Sequence, residues 1–374
     1  MKQLDNPFLI SGYESPEYFC DRKAETSALI DTLKNGRNVT LTSPRRMGKT
    51  GLIKHSFHLL QEQNSDIAII YIDLFPTENM ADFTQVLASA VLGQLDSNPM
   101  KLLKKATDFF KALRPVITFD DITGKPKVLL DIAKGTEAHS IEQVFQYLKQ
   151  SEKTCYIAFD EFQQVAKYPE KNIEAVLRSN IQDLHNVHFI FSGSQAHMLE
   201  EMFLSPKRPF YQSTSEKTIG TISEDAYYDF ASEFFKRQGR ELPHDIFSQI
   251  YQRYEGHTWY IQMLLNRLYA KKTRSIDLQL VRECISDILT ENEYYYQNLL
   301  RIYSKGQSNL LKAIGKEKIV KEITAGSFIS KYGLTATSSV KSSLSRLIDD
   351  EVVYRSENGY IIYDRFFGDW LASL

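Results

Sequence analysis

A basic turn that ends in Gly-Lys-Thr constrains the fold of this chain more than any other feature. The turn follows a mostly apolar run at positions 39–41, and residues 51–60 after it carry apolar side chains at helical spacing. In such a strand–loop–helix unit, backbone N–H groups bind the β- and γ-phosphates of a nucleotide, the lysine adds positive charge and the threonine hydroxyl holds Mg²⁺. The sequence therefore predicts a phosphate-binding loop made of Ser43, Pro44, Arg45, Arg46, Met47, Gly48, Lys49, Thr50 and Gly51.

Ser43 stands where the usual phosphate-loop pattern has its first glycine. Glycine at that position normally supplies unusual backbone torsions, which a serine adopts only at a cost in free energy. We therefore expect local strain at Ser43. An ordinary basic turn is the alternative interpretation, but the strand before the loop and the helix after it favour the phosphate loop.

Composition and charge limit the other classes of protein. With 374 residues, of which 43% are hydrophobic and 25% charged, the chain is long enough for two or three cores. A net charge of −2 gives no chain-wide attraction to nucleic acid or to a membrane surface. The three cysteines are isolated, no apolar signal core begins the chain and no stretch has membrane-spanning length, so we expect a cytoplasmic protein without a membrane partner.

A second strong signal is a mostly apolar strand, residues 154–160, that ends in two adjacent carboxylates. Asp160 is placed to hold the hydration shell of Mg²⁺, and Glu161 is placed to orient or deprotonate a water molecule. A strand that happens to end in two acids is the alternative. The next apolar strand, residues 187–191, ends near Ser192 and Ser194, whose hydroxyls contact the γ-phosphate or the attacking water, or else belong to a simple Ser-Gly turn.

The remaining patterns of the first half predict an α/β unit with an inserted hairpin. An apolar strand at 67–74 carries Asp73 near its carboxyl end, where the side chain either caps the strand exit or lies near the nucleotide. Helical periodicity follows at 80–95 and at 101–113. Residues 116–121 and 128–132 then form the predicted hairpin, and residues 173–184 are predicted to be helical.

The second half of the chain predicts helices and a C-terminal winged helix-turn-helix. A helical block begins at Ser223 and runs to about residue 291, and three further helices are followed by a hairpin over 352–363. From residue 316 to the end, basic and acidic side chains balance at eight each, whereas DNA-binding modules usually show a basic excess. DNA binding and protein docking therefore both stay open. The third of these helices is predicted to present Ser338, Ser339, Lys341, Ser342, Ser345 and Arg346 to solvent.

Three segments together resemble the archaeal-type ATPase family, which also occurs in bacteria and is related to the STAND and AAA+ ATPases. They are residues 19–22, the Pro-Arg-Arg-Met-Gly-Lys-Thr loop and the Phe-Asp-Glu-Phe segment at 159–162. The resemblance implies a P-loop NTPase parallel sheet of AAA+-like form over residues 1–220, a helical lid over 221–291 and a winged helix over 292–374. It also implies that ATP and Mg²⁺ are the cofactors and that the protein is an ATPase.

The resemblance also assigns roles to individual residues. It implies that Lys49 and Thr50 bind phosphate and Mg²⁺, that Asp160 completes the metal site, and that Glu161 is the catalytic carboxylate. Ser192 or Ser194 would then sense the γ-phosphate. Asp21 and Arg22, from the segment that precedes the first helix, are counted among the nucleotide-binding residues.

Two segments depart from the family pattern. The lid motif Gly-x-Pro appears as Gly256-His257-Thr258, and the Pro-Leu-Tyr-Gly-Arg segment appears as residues 209–213 with serine in place of its arginine. Arg178 and Arg208 are the remaining candidates for an arginine that acts across a subunit boundary, or each forms an ion pair within the chain. Arg45 and Arg46 could hold phosphate, contact a neighbouring subunit or pair with acids.

Two functions from different classes follow from these patterns. The first is a Mg²⁺-dependent ATPase that acts as a regulatory switch, with ATP and ADP as ligands and a protein partner or a homo-oligomer as its context. The alternative is a non-catalytic nucleotide-binding protein whose winged helix binds DNA or docks a protein. The intact Asp160-Glu161 pair favours hydrolysis.

Overall fold

The chain folds into two compact units. The computed structural model describes residues 4–95, 113–119, 126–132, 135–271, 273, 275–356 and 358–374. The core unit comprises Ser11–Ile222, and the helical unit comprises the N-terminal residues up to Ile10 together with Ser223–Leu374. The predicted three-way division at residues 220 and 291 stays a prediction, since a single helix, Leu278–Ile302, runs through the second boundary.

A parallel sheet of five strands lies at the centre of the core unit. Its strands are β1 Val39–Thr42, β2 Ile67–Asp73, β5 Thr154–Asp160, β6 Val187–Gly193 and β7 Ser215–Thr218. The order across the sheet is β2-β5-β6-β1-β7, so the strand ending in Asp160 is separated from the strand before the phosphate loop by β6. The edge strand Ser215–Thr218 is polar and partly exposed, whereas the other strands are mostly apolar and are buried on both faces by helices.

Alternate residues of the strands bury two apolar clusters on opposite faces of the sheet. Ile157 and Phe159 belong to the larger cluster, whereas Ala158 belongs to the smaller one. The first two helices pack in the smaller cluster and the other four helices pack in the larger. These helices are α1 Lys23–Lys34, α2 Lys49–Gln63, α3 Met80–Leu95, α4 Glu137–Lys149, α5 Ile173–Ile181 and α6 Ala196–Leu204.

The predicted hairpin between α3 and α4 is confirmed. Strands β3 Leu113–Phe119 and β4 Pro126–Ile132 pair in antiparallel register. The helix predicted over 101–113 lies outside the described residues apart from Leu113, which begins β3 instead.

Four helices begin the larger segment of the helical unit. The first starts at Glu224, where the Ser223 hydroxyl accepts a hydrogen bond from the Ala226 N–H, as the predicted helix start requires. Gly256 takes φ +70° just before the third of these helices. The helices are α7 Glu224–Arg237, α8 His244–Arg253, α9 Thr258–Ala270 and α10 Leu278–Ile302.

Residues near the N-terminus pack in this same helical unit, which the sequence did not predict. The Phe8 ring is fully buried and packs edge-on against Phe234 and Tyr269. Asn6 donates a hydrogen bond to the Asn266 carbonyl, and the Asn266 side chain donates one to the Phe8 carbonyl. These contacts tie residues 6–8 to helices α7 and α9.

The end of the chain has the predicted winged-helix order. Helices α11 Lys305–Glu317, α12 Gly326–Lys331 and α13 Thr337–Asp349 precede the antiparallel strands β8 Val353–Ser356 and β9 Gly359–Ile362, and α14 Arg365–Ser373 follows. The six polar side chains predicted on the outer face of α13 are exposed. Ile348, which continues the apolar spacing of this third helix, is 38% exposed. Among the described helices none combines the length and apolar character needed to cross a bilayer.

Candidate active site at the carboxyl edge of the sheet

The phosphate loop connects β1 to α2 and contains two residues in the left-handed region. Gly48, just before the helix, has φ +95°, and Arg46 has φ +65°. Ser43 does not take a positive φ. The strain expected at Ser43 is therefore absent, because this loop places its unusual torsions three and five residues later.

Lys49 lies over the loop that precedes it. Its ammonium donates to the Ser43 carbonyl at 3.0 Å, to the Ser43 hydroxyl at 3.2 Å and to the Pro44 carbonyl at 3.3 Å. Burial lowers the pKa of Lys49, while the nearby carboxylates of Glu161 and Asp160 raise it. Ser43, the unusual residue of the motif, thus provides two of the oxygens that hold the lysine in place.

Asp160 is a buried carboxylate with donors on both oxygens. Thr50 Oγ1 donates to Oδ2 at 2.7 Å, Tyr71 Oη donates to the same oxygen, and Ser192 Oγ donates to Oδ1. Burial and the Asp160 charge raise the pKa of the Tyr71 phenol, so it stays a donor. Tyr71, Asp160 and Ser192 come together because β5, which carries Asp160, lies between β2 and β6 in the sheet.

The Thr50 and Asp160 oxygens fit a Mg²⁺ ion. Adjacent ligands of an octahedral Mg²⁺ at 2.0–2.1 Å lie about 3 Å apart, close to the 2.7 Å between these two atoms. Within the described ranges, no group of three or more His, Cys, Asp or Glu side chains is arranged to hold a metal. A site with one carboxylate and one hydroxyl suits Mg²⁺, which usually keeps several waters and binds substrate phosphates.

Glu161 follows Asp160 in the left-handed conformation, at φ +55°. Its Oε2 accepts hydrogen bonds from the Ser194 hydroxyl at 2.9 Å and from Gln163 Nε2. The Arg45 Nε donates to the same Ser194 hydroxyl at 3.2 Å. This chain of contacts links the phosphate loop, the end of β6 and the predicted catalytic carboxylate.

Ser192 and Ser194 therefore have different partners. Ser192 contacts the predicted metal-binding carboxylate, and Ser194 contacts the predicted catalytic one. Both serines lie at the strand end beside the loop, because Thr42 at the end of β1 pairs with Gly193.

Of the two residues predicted from the segment before α1, Arg22 is buried and Asp21 is exposed. Arg22 donates from Nη2 to the Met47 carbonyl at 3.1 Å and pairs with Glu25. Arg22 thus supports the phosphate loop through its backbone. Direct contact of either residue with nucleotide stays a prediction.

Asp73 caps the exit of its strand. Its Oδ1 accepts a hydrogen bond from the Phe75 N–H at 2.9 Å, and its side chain is exposed although the residue pairs in register with Asp160. This geometry matches the first of the two interpretations of Asp73.

Arg208 forms ion pairs inside the chain. It contacts Glu174 at 2.5 Å and Glu201 at 3.5 Å, and burial raises the pKa of Glu174 while Arg208 lowers it. Four residues later Gln212 takes φ +52°, at the position where the family segment has its glycine. Arg178 is exposed at its guanidinium and donates to Gln182.

Three groups of side chains beside these residues were not predicted from the sequence. Tyr71 and Gln163 contact the two acids directly. A cluster of rings next to the loop includes Phe19, stacked on His55 with centroids 4.3 Å apart, and Tyr13, whose hydroxyl lies 3.0 Å from His55 Nδ1. For Gln163, the available sequence signal was its position, since it is a polar residue two places after Glu161.

Comparisons with known proteins agree with this geometry. A family model described as an ATPase domain found predominantly in Archaea matches residues 19–264, and a model of a probable winged helix domain matches residues 294–373. The comparison with curated proteins found no match.

Three solved structures share the fold. A Walker-type ATPase of Pyrococcus abyssi is 16% identical with a TM-score of 0.64, covering 98% of this chain and 99% of that one. The ORC2 protein of Aeropyrum pernix, solved as ADPNP–ADP complexes, is 15% identical with a TM-score of 0.59 over 98% and 97%. The ORC1 protein of the same organism, solved in complex with DNA, is 14% identical with a TM-score of 0.54 over 99% and 96%.

The first model covers more than half of the chain, including the phosphate loop and the Asp160-Glu161 pair. The fold is that of AAA+ ATPases, with a C-terminal winged helix. The chain therefore belongs to the family of ATPase domains found predominantly in Archaea.

Proposed function

We propose that this protein is a Mg²⁺-dependent ATPase that works as a slow regulatory switch. The observation that carries the proposal is the convergence of Lys49, Thr50, Asp160, Glu161 and Ser194 through direct hydrogen bonds or opposite charges at one sheet edge. A phosphate loop, a metal-binding carboxylate and a second carboxylate are the parts that phosphoryl transfer to water needs.

Four of these residues have defined tasks in the proposed hydrolysis. The Lys49 ammonium offsets the charge of the β- and γ-phosphates, while backbone N–H groups at the start of α2 bind the same oxygens. Thr50 and Asp160 hold Mg²⁺, which when bound neutralises charge on the β- and γ-phosphates. Glu161 orients a water molecule and accepts its proton.

Turnover is expected to be slow because Arg208 is engaged within its own chain. An arginine that reaches the transferred phosphate from a neighbouring subunit is worth roughly 10³–10⁵ in rate. Arg208 instead pairs with Glu174 and Glu201 of its own chain, and serine occupies the position of the family's arginine. Slow hydrolysis without an arginine from a neighbouring subunit suits a protein whose conformation depends on whether ATP or ADP is bound.

The output of the switch is proposed to be the winged helix. Helix α13 exposes Lys341 and Arg346 together with four serines, a set able to contact phosphates. A structural relative solved with DNA supports nucleic acid as the ligand. Arg346 also pairs with Asp350 at 2.9 Å, and this neutralisation favours weak DNA binding.

The test measures ATP affinity by calorimetry and phosphate release with Mg²⁺ or with excess chelator. We expect Lys49→Ala to abolish binding, and Glu161→Gln to bind ATP normally while releasing phosphate at least a hundredfold more slowly. Lys34→Ala, an exposed lysine on α1 that contacts Gln63, is the matched control. Binding without any turnover by the native protein would favour the non-catalytic alternative, and unchanged affinity in Lys49→Ala would refute the phosphate loop.

A further inference from the structure

Gln163 is a buried amide that holds the predicted catalytic carboxylate. It lies two residues after Glu161, in the 3₁₀ helix Phe162–Lys167, and is 3% exposed. Its Nε2 donates to Glu161 Oε2, and its Oε1 has no hydrogen-bond partner in the described part of the chain. A buried amide oxygen without a hydrogen-bond partner lowers the stability of the folded protein, so this placement of Gln163 has a cost in free energy.

Gly193 leaves the space that the Gln163 side chain fills. A Cβ atom on Gly193 would lie 2.0 Å from Gln163 Oε1 and 2.9 Å from Leu199 Cδ1. The backbone of Gly193 does not require glycine, since its φ is outside the left-handed region. A larger residue at Gly193 would therefore collide most closely with Gln163 and also with Leu199.

The second donor to Glu161 is less fixed than Gln163. Ser194 contacts Glu161 from a partly exposed position at the strand end, where its hydroxyl is also a candidate contact for the γ-phosphate. A hydroxyl that turns toward phosphate no longer donates to the carboxylate. The Gln163 side chain, in contrast, is buried and fills the space beside Gly193.

We propose that Gln163 is a positioning residue for ATP hydrolysis. It orients Glu161 toward the attacking water, and its own side chain fits in the space that Gly193 leaves. This inference rests on the proposed ATPase activity. Gln163 is not expected to touch the nucleotide, because its side chain is buried and its amide nitrogen donates to Glu161. Its loss should therefore lower kcat and leave KM for ATP nearly unchanged.

The experiment compares kcat, KM and thermal unfolding for Gln163→Met and Gln164→Met. Both replacements keep side-chain length and remove an amide, but Gln164 donates to the Thr77 carbonyl rather than to Glu161. We expect Gln163→Met to lose at least tenfold in kcat with KM within twofold of native, and Gln164→Met to keep native kcat. Equal kcat for native protein and Gln163→Met would overturn the inference while leaving the ATPase function standing, whereas a native protein without turnover would overturn both.

A second pair of variants tests the role of the space at Gly193. Gly193→Ala should lower kcat because its methyl group displaces Gln163. In a Gln163→Ala background the same change should have little further effect on kcat, since the amide that it displaces is already gone. If the two substitutions lower kcat independently, so that the loss in the double variant is the product of the two single losses, the proposed coupling is contradicted.

Discussion

The Thr50 hydroxyl donates a hydrogen bond to Asp160 Oδ2 across 2.7 Å, although the two residues are 110 positions apart in the sequence. This contact fixes the start of α2 against the end of β5. The two proposed Mg²⁺ ligands are thus brought together by the protein itself, which lowers the cost of organising the metal site.

Replacing Thr50 by valine should selectively remove the effect of Mg²⁺ on ATP binding. Valine keeps the shape of the side chain but has no oxygen ligand, so we expect affinity in Mg²⁺ to fall about tenfold or more, toward the value in chelator. Calorimetric titration in both conditions measures this. Thr40→Val is the control, because Thr40 contacts Thr214 rather than Asp160; an undiminished Mg²⁺ effect in Thr50→Val would exclude Thr50 as a ligand.

The two serines near the end of β6 should differ in their effects when each is replaced by alanine. Ser192→Ala removes a donor from Asp160 and should raise the Mg²⁺ concentration needed for half-maximal turnover several-fold. Ser194→Ala removes a donor from Glu161 and should lower kcat by about tenfold at saturating Mg²⁺. Phosphate release across a Mg²⁺ titration separates the two effects, and identical profiles would argue against different roles.

The ion pair of Arg208 should contribute to stability mainly through Glu174. Glu174→Gln removes a buried charge that lies 2.5 Å from Arg208 and should cost about 2 kcal/mol, because Arg208 then loses its main counter-ion. Glu201→Gln removes the more exposed partner at 3.5 Å and should cost less than about 0.5 kcal/mol. Denaturant unfolding of both variants provides the comparison; equal costs would mean that burial does not decide the strength of this pair.

Asp350 should limit DNA binding by the winged helix. Asp350→Asn removes the partner of Arg346, and we expect affinity for duplex DNA at low salt to increase roughly fivefold. Replacing Lys341 and Arg346 by glutamate should abolish binding, and each lost phosphate contact should reduce the salt slope by about one. Gel retardation at three salt concentrations measures these effects. Absence of binding by both native protein and Asp350→Asn, with or without ATP, would favour protein docking instead.

Contiguous patterns carried most of what the sequence predicted. The strand–loop–helix unit around Lys49, the strand ending in Asp160 and the wing hairpin each depend on residues that are neighbours in the chain, and all three appear as predicted. Tyr71 and Gln163 were missed because their roles depend on tertiary contacts: one requires the β2–β5 register and the other the absence of a side chain at Gly193.

The backbone torsions of the loop and the end of the buried face of α13 could not be predicted from the sequence either. The motif placed the expected strain at Ser43, but the loop takes positive φ at Arg46 and Gly48. Ile348 continues the apolar spacing of α13 but lies in its last turn, where it is 38% exposed. Periodicity does not indicate where a buried face stops.

The packing of Phe8 has a consequence for how the protein is made. Synthesis proceeds from the N-terminus, so residues 6–8 leave the ribosome more than two hundred residues before helices α7 and α9, against which they pack. The helical unit can be completed only after the core unit has been translated. A fragment that starts at Ser223 would lack the buried Phe8 ring, and dissection of this protein therefore requires that the first segment be supplied again, fused or as a peptide.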